Sequence, residues 1–106
     1  MELTVKERLL LLSILPQEGS FTTIKIIRKL REELSFSEEE HEELGFRESD
    51  GKVGWDEGAE KMKEVEIGLK ATDVVAAALK ELDRKNSLHV DHFSLFEKFV
   101  LDEEDG

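Results

Sequence analysis

His89 and His92 flank Asp91 toward the C-terminal end of the chain. Two imidazoles at helical spacing beside a carboxylate suit a divalent metal. No His-Glu-x-x-His pattern accompanies them, and a polar cap at a helix start uses the same side chains, so no metal is expected there. Glu38, Glu39, Glu40, Glu42 and Glu43, with His41 among them, gather five carboxylates within six residues. Calcium or magnesium needs a loop that converges such oxygens, whereas a helix fans them outward. Asp50-Gly51 lacks the Asp, Asn and Glu that a calcium loop needs at later steps and serves better as a turn.

Covalent chemistry finds as little support. Cysteine is absent, which removes thiolate nucleophiles, disulfides and cysteine-based zinc or iron–sulfur sites. Ser13, Ser20, Ser35, Ser37, Ser49, Ser87 and Ser94 sit in no nucleophile elbow, and the glycines form neither a Walker loop nor a dinucleotide fingerprint. Nothing singles out two of the 26 acids as a pair in an apolar pocket. The expectation is a non-enzymatic chain without a cofactor.

The 106 residues carry a net charge of −11, and 39% of them are apolar. One small acidic domain over residues 1–106 follows, in which nearly every large apolar side chain is needed for the core. Residues 1–31 carry six basic and three acidic side chains, residues 32–66 four and fourteen, and residues 67–106 five and nine. Repulsion within that middle third costs stability, and a basic protein partner would relieve it. Duplex binding depends on Lys and Arg neutralising phosphates, so the charge argues against nucleic acid. The one basic strip, Lys25, Arg28, Lys29 and Arg31, falls on the outer side of a predicted helix. There Glu32 and Glu33 lie four residues after Arg28 and Lys29 and can pair with them. No apolar run approaches the roughly 18 residues of a membrane span, and Met1 to Glu7 lacks the layout of a signal peptide, so a cytoplasmic location is expected.

The elements that must position these side chains are mostly helices. Thr4 with Glu7 makes a capping box ahead of Leu9, Leu10, Leu11, Leu12, Ile14 and Leu15, an almost wholly apolar run that predicts a central, buried helix ending at Pro16 and Gly19. Thr22 or Thr23 can cap a second helix with Ile24, Ile27, Leu30 and Leu34 on one side. Ser37 with Glu40 makes another capping box for a short helix over 38–44, closed by Gly45. Asp50-Gly51 predicts a two-residue hairpin whose register sets Phe46 opposite Trp55 and Glu48 opposite Val53. Trp55 then stands with Phe46 as a core anchor, with a contact role as the competing reading. A polar loop over 56–62 leads to a short third strand at 63–69. A helix follows from about Leu69 to Lys85, with Val75, Leu79 and Leu82 inward. A last helix over 90–100 is expected to turn Phe93, Phe96, Phe99 and Val100 to the core, before an acidic tail, 101–106, that frays.

Helix, the link Gly19-Ser20-Phe21-Thr22-Thr23, helix, short helix from Ser37 and a hairpin at Asp50-Gly51 is an element order that resembles the winged-helix family over about the first 56 residues. The resemblance implies an α+β fold, mainly helical. It has a winged-helix-like core of three helices plus an antiparallel β-hairpin, with two additional C-terminal helices. In that family the third helix enters the DNA major groove. Here the matching helix would present Glu38, Glu39, Glu40, Glu42 and Glu43, which a duplex repels. The whole chain also resembles small uncharacterised proteins encoded by phages and prophages. That resemblance rests on Leu12, Leu15-Pro16 with Gly19, Leu30 with Leu34, Phe36-Ser37 with Glu40, Gly51 with Trp55, and Leu95 with Lys98-Phe99. It implies an accessory role in a host cytoplasm and transfers no site residue.

The expected function is a protein-binding module that meets a basic protein surface through residues 32–66, with Glu38, Glu39, Glu40, Glu42, Glu43, Glu48 and Trp55 as contacts. Two other readings stand beside it. One is a winged-helix DNA-binding regulator using Lys25, Arg28, Lys29 and Arg31. The other is a virion or assembly component that self-associates through Phe93, Phe96 and Phe99 as a homo-oligomer.

Overall fold

The Thr4 hydroxyl accepts the Glu7 N–H and the Glu7 carboxylate accepts the Thr4 N–H, each at 3.0 Å. The computed structural model, which describes residues 1–101, starts helix α1 (Val5–Ile14) from this capping box. Leu11 and the following Leu15 are buried, but Leu9, Leu10, Leu12 and Ile14 are only half-buried, so α1 lies less deep than its leucine run predicts. Its first turns enclose two charged side chains beside Val5, Glu7 and Arg8, at 5% and 0% exposure.

Helix α2 (Phe21–Leu34) begins earlier than expected, because Ser20 rather than Thr22 or Thr23 is the cap: its hydroxyl accepts the Thr23 N–H at 3.1 Å. Ile27, Leu30 and Leu34 are buried and Ile24 half-buried, which is the predicted stripe. Helix α3 (Glu38–Leu44) carries the Ser37/Glu40 capping box and ends at Gly45, whose φ of +56° is the left-handed closure that glycine adopts without strain. Strands β2 (Arg47–Ser49) and β3 (Lys52–Gly54) pair with Glu48 opposite Val53. Positive φ at both Asp50 and Gly51 makes the turn type I′, the hand that fits twisted strands. All six strand residues are exposed, so the ribbon stands out from the body and is held at its base.

The segment over 56–62 contains one 3-10 turn, Glu57–Ala59. The third strand is present but short: β4 (Lys63–Glu64) pairs antiparallel with β1 (Glu2–Leu3), a strand that the sequence pattern did not mark. Leu3 and Val65 are sealed beneath that pair, whereas Leu69 is 80% exposed and already opens the next helix, so the alternation at 65, 67 and 69 is only partly a strand signal. Helix α4 (Leu69–Arg84) buries Val75, Ala76 and Leu79, keeps Leu82 half-buried and lies against α1 and α2.

The expected single helix over 90–100 is three joined pieces: a 3-10 turn (Val90–His92), a helical turn α5 (Phe93–Phe96) and a wider π-type turn (Glu97–Leu101). Leu95, Phe99 and Val100 are buried and Phe96 half-buried, but Phe93 is 68% exposed, against expectation. Phenylalanines at three-residue steps drift around a helix, so they cannot all face one core. Leu95 and Phe99, four apart, share the inward face. One cluster joins these residues to Leu3, Leu11, Leu30, Leu34 and Leu79. Among the described residues the architecture is α+β, mainly helical, with five α-helices and two small antiparallel strand pairs. Among them no helix is long and apolar enough to cross a membrane. Beyond Leu101 the expected acidic tail lies outside the described residues.

Candidate functional site

Helix α3 is fixed by a cation that reaches it from α1. The fully buried Arg8 guanidinium donates to the backbone carbonyls of Leu34, at 3.2 Å, and Ser35, at 2.7 Å, and to both carboxylate oxygens of Glu40. It lies 3.8 Å from the centre of the Phe36 ring. Glu40 is therefore not on the outward acidic face where its neighbours place it. Its hydrogen bond from Arg8, with the Ser37 N–H and the charges of Arg8 and Lys63 in support and burial opposing, holds its carboxyl at about 2. Spacing explains the placement. Glu40 is the third helical residue, whose side chain turns back to the cap, and that direction also faces α1.

The other four acids of α3 point to solvent. Glu38 and Glu42, like Glu39 and Glu43, are neighbours on successive turns, and among the described residues none of the four has an ion-pair partner. Glu42 and Glu43 line an open groove of about 600 Å3 that Asp56 and Glu57 also line, with Trp55 and Arg47 between. The Asp56 N–H donates to the Leu44 carbonyl at 2.7 Å, which clamps the hairpin's exit to the end of α3. Trp55 is half-buried. Its indole N–H donates to Glu60 at 3.3 Å, and its ring meets Phe46 edge-on at 6.2 Å. Phe46 in turn meets Phe36 at 5.0 Å, so aromatic rings lead from the Arg8 pocket to the groove.

Of the expected contact residues, then, Glu42, Glu43 and Trp55 come together in one groove. Glu38 and Glu39 extend the same helix one turn back, Glu48 is exposed on the hairpin, and Glu40 is half-buried and turned to Arg8. Asp56 and Glu57, in the polar loop of the acidic 32–66 segment, join the groove although they are not among the individually expected contacts. The signal for them was Asp56-x-Gly58, an Asx turn in which the Asp56 carboxylate accepts the Gly58 N–H at 3.0 Å. No protein-family model matches the chain, and no curated protein or solved structure is significantly similar to it.

Elsewhere, the His89 ring accepts the Asp91 N–H at 3.1 Å and the His92 ring accepts the His89 N–H at 2.9 Å, which is capping geometry. Burial first, then the neighbouring His89, lowers the His92 pKa against the opposing pull of Asp91. Among the described residues no three His, Asp or Glu side chains group so as to hold a metal ion. The basic strip also differs from expectation: Lys25, Arg28 and Lys29 are exposed, Arg31 is half-buried, and neither Arg28–Glu32 nor Lys29–Glu33 closes to an ion pair. Long exposed side chains gain too little from such pairs to be held in them.

A second polar cluster that the sequence did not reveal joins α1 to the last helical segment. Glu7 accepts from Lys98 at 2.8 Å and from the Ser94 hydroxyl at 2.9 Å. Burial would raise the Glu7 carboxyl, but these bonds, the Thr4 N–H and the Lys98 charge outweigh it and lower the pKa. Ser94 and Lys98, four apart, were the available signal.

Proposed function

We propose that this chain is a non-enzymatic protein-binding module that engages a basic protein surface through its acidic face within residues 32–66. The observation that carries it is the groove lined by Glu42, Glu43, Asp56 and Glu57 together with Trp55, four carboxylates against the single cation Arg47. Like charges on successive helical turns cost about 0.2–0.5 kcal/mol per pair, and a cationic partner converts that cost into attraction. The buried Arg8–Glu40 tie keeps α3 in place before a partner arrives, so little ordering is left for binding to supply. An aromatic ring beside carboxylates suits Arg side chains in particular. The resemblance to phage-encoded proteins fits an accessory role in a host cytoplasm.

Trp55 is the sole tryptophan, so its emission reports on the groove without a label. Titration with an oligo-arginine peptide is expected to give a saturable emission change that weakens about tenfold between low and moderate salt. The variant Glu42→Gln/Glu43→Gln/Asp56→Asn/Glu57→Gln is expected to lose it. An unchanged emission, or equal binding by that variant, would overturn the proposal. The exposed Lys25, Arg28 and Lys29, which have no ion-pair partner among the described residues, favour a second reading, a regulator that holds DNA phosphates on α2. A low-salt gel shift of unrelated duplex, abolished by Lys25→Gln/Arg28→Gln/Lys29→Gln, would replace the first reading with this one.

A further inference from the structure

The last helical stretch begins on two imidazoles that both act as acceptors. His89 Nδ1 accepts the Asp91 N–H at 3.1 Å and His92 Nδ1 accepts the His89 N–H at 2.9 Å, so the two side chains close the turn Val90–His92 reciprocally. A nitrogen that carries a proton cannot accept. We infer that His92 is a pH-sensitive latch, whose protonation releases the His89 N–H, opens the turn Val90–His92 and resets Val90 and Phe93 on the surface while the body of the fold stays closed.

Three features turn titration into movement. The first is that acid removes both acceptors but offers a new partner to one ring alone. Asp91 Oδ2 lies 3.3 Å from His89 Nδ1, so a protonated His89 turns its new N–H from the backbone to that carboxylate. Among the described residues no carboxylate lies within ion-pair distance of His92, and its ring stands edge-on at 6.3 Å from that of His89, where two imidazolium charges oppose each other. The second is that the other charges nearby are already held. Lys6 from α1 donates to Asp91 Oδ1 at 2.7 Å, and Lys98 donates to Glu7 at 2.8 Å in the groove that Asp91 and Phe93 also line. Burial first, then His89, lowers the His92 pKa against the pull of Asp91, so the neutral ring is the form that stabilises the closed turn. That contribution is complete above the ordinary 6.5 and is lost as pH falls through the lowered value.

The third feature is a short exposed segment between two fixed points. Leu88 packs on the core before the turn and Leu95 is buried after it, whereas Val90 is 83% and Phe93 68% exposed. The turn between them therefore depends on polar bonds: the two caps, the His92 N–H to the His89 carbonyl at 2.9 Å, and Lys6–Asp91. Loss of the caps frees the turn and leaves the core contacts of Leu95 and Phe99 in place. The latch uses no residue of the acidic groove and stands independently of the proposed partner.

Exchange of backbone amide protons with water, followed residue by residue by NMR on the isotope-labelled chain and divided by the intrinsic rate at each pH, tests it. Protection of the His89 N–H is expected to fall about fivefold between about pH 7.5 and about pH 5, the worth of one hydrogen bond, while Trp55 emission and the protection of α4 stay constant. His92→Asn keeps an acceptor that does not titrate, and the His89 N–H should stay protected at both pH values. His92→Phe keeps a ring without an acceptor, and the same N–H should be open at both. Equal protection of the His89 N–H at the two pH values in the wild-type chain overturns the inference. So does a His92→Asn chain that loses protection as the wild type does, or a loss that spreads to α4, which is general acid unfolding.

Discussion

Replacing Arg8 by Met keeps most of the buried volume and removes the guanidinium that ties α1 to the end of α2 and to α3. Its four hydrogen bonds, to Leu34, Ser35 and twice to Glu40, include two to a carboxylate. Counted singly, bonds from a charged donor at about 1.5–3 kcal/mol each would sum to more than the truth, since dehydrating the guanidinium costs several kcal/mol. The better measure is what its loss leaves behind: a carboxylate and two carbonyls facing a side chain that cannot donate. Breaking a buried pair from one side costs about 3–5 kcal/mol. Glu40 keeps 26% of its side chain exposed, so water reaches it, and the lower end, about 3 kcal/mol, is expected. Against a typical total of about 5–15 kcal/mol that is a severe loss. Urea unfolding followed by far-ultraviolet circular dichroism and by Trp55 emission measures it. A cycle with Glu40→Gln and the double variant should give a coupling of about 1–3 kcal/mol. A loss below about 1 kcal/mol at unchanged slope, or strict additivity, would refute the reasoning.

Acid should expose the same tie and its neighbour. Glu40 is held at about 2 and Glu7 below the ordinary 4.5, so both favour the folded state when ionised; their contribution is complete above about pH 4.5 and lost as pH falls toward 2. The urea midpoint should drop across that window and drop less in Glu40→Gln, whereas a midpoint flat down to about pH 2 would contradict the assignment. In the last helical segment, Phe99→Ala should cost about 3–5 kcal/mol, while Phe93→Ala should change stability by less than about 0.5 kcal/mol. Equal shifts in the two melts would show that the inward face has been misassigned.

Much of the local structure was legible because its causes lie within a few residues. Thr4 with Glu7 and Ser37 with Glu40 satisfy orphan helix N–H groups across three residues, Gly45 supplies the one backbone conformation that ends α3, and Asp50-Gly51 fixes the register that puts Phe46 beside Trp55. The acidic character of 38–43 was likewise plain from composition.

Which of those acids faces outward was not legible. Glu40 differs from Glu39 only in looking toward Arg8, 32 residues away, and Glu7 meets Lys98 across 91. The pairing of β1 with β4 and the exchange of Phe93 for Leu95 in the core have the same origin. Sequence alone determined the caps, the turn and the charge of the middle third, because hydrogen bonds between near neighbours set them. Only the tertiary structure decided which charges are buried and which carboxylates share a groove with Trp55. Those outcomes depend on the free energy of two surfaces meeting, and neither surface exists until the chain has folded.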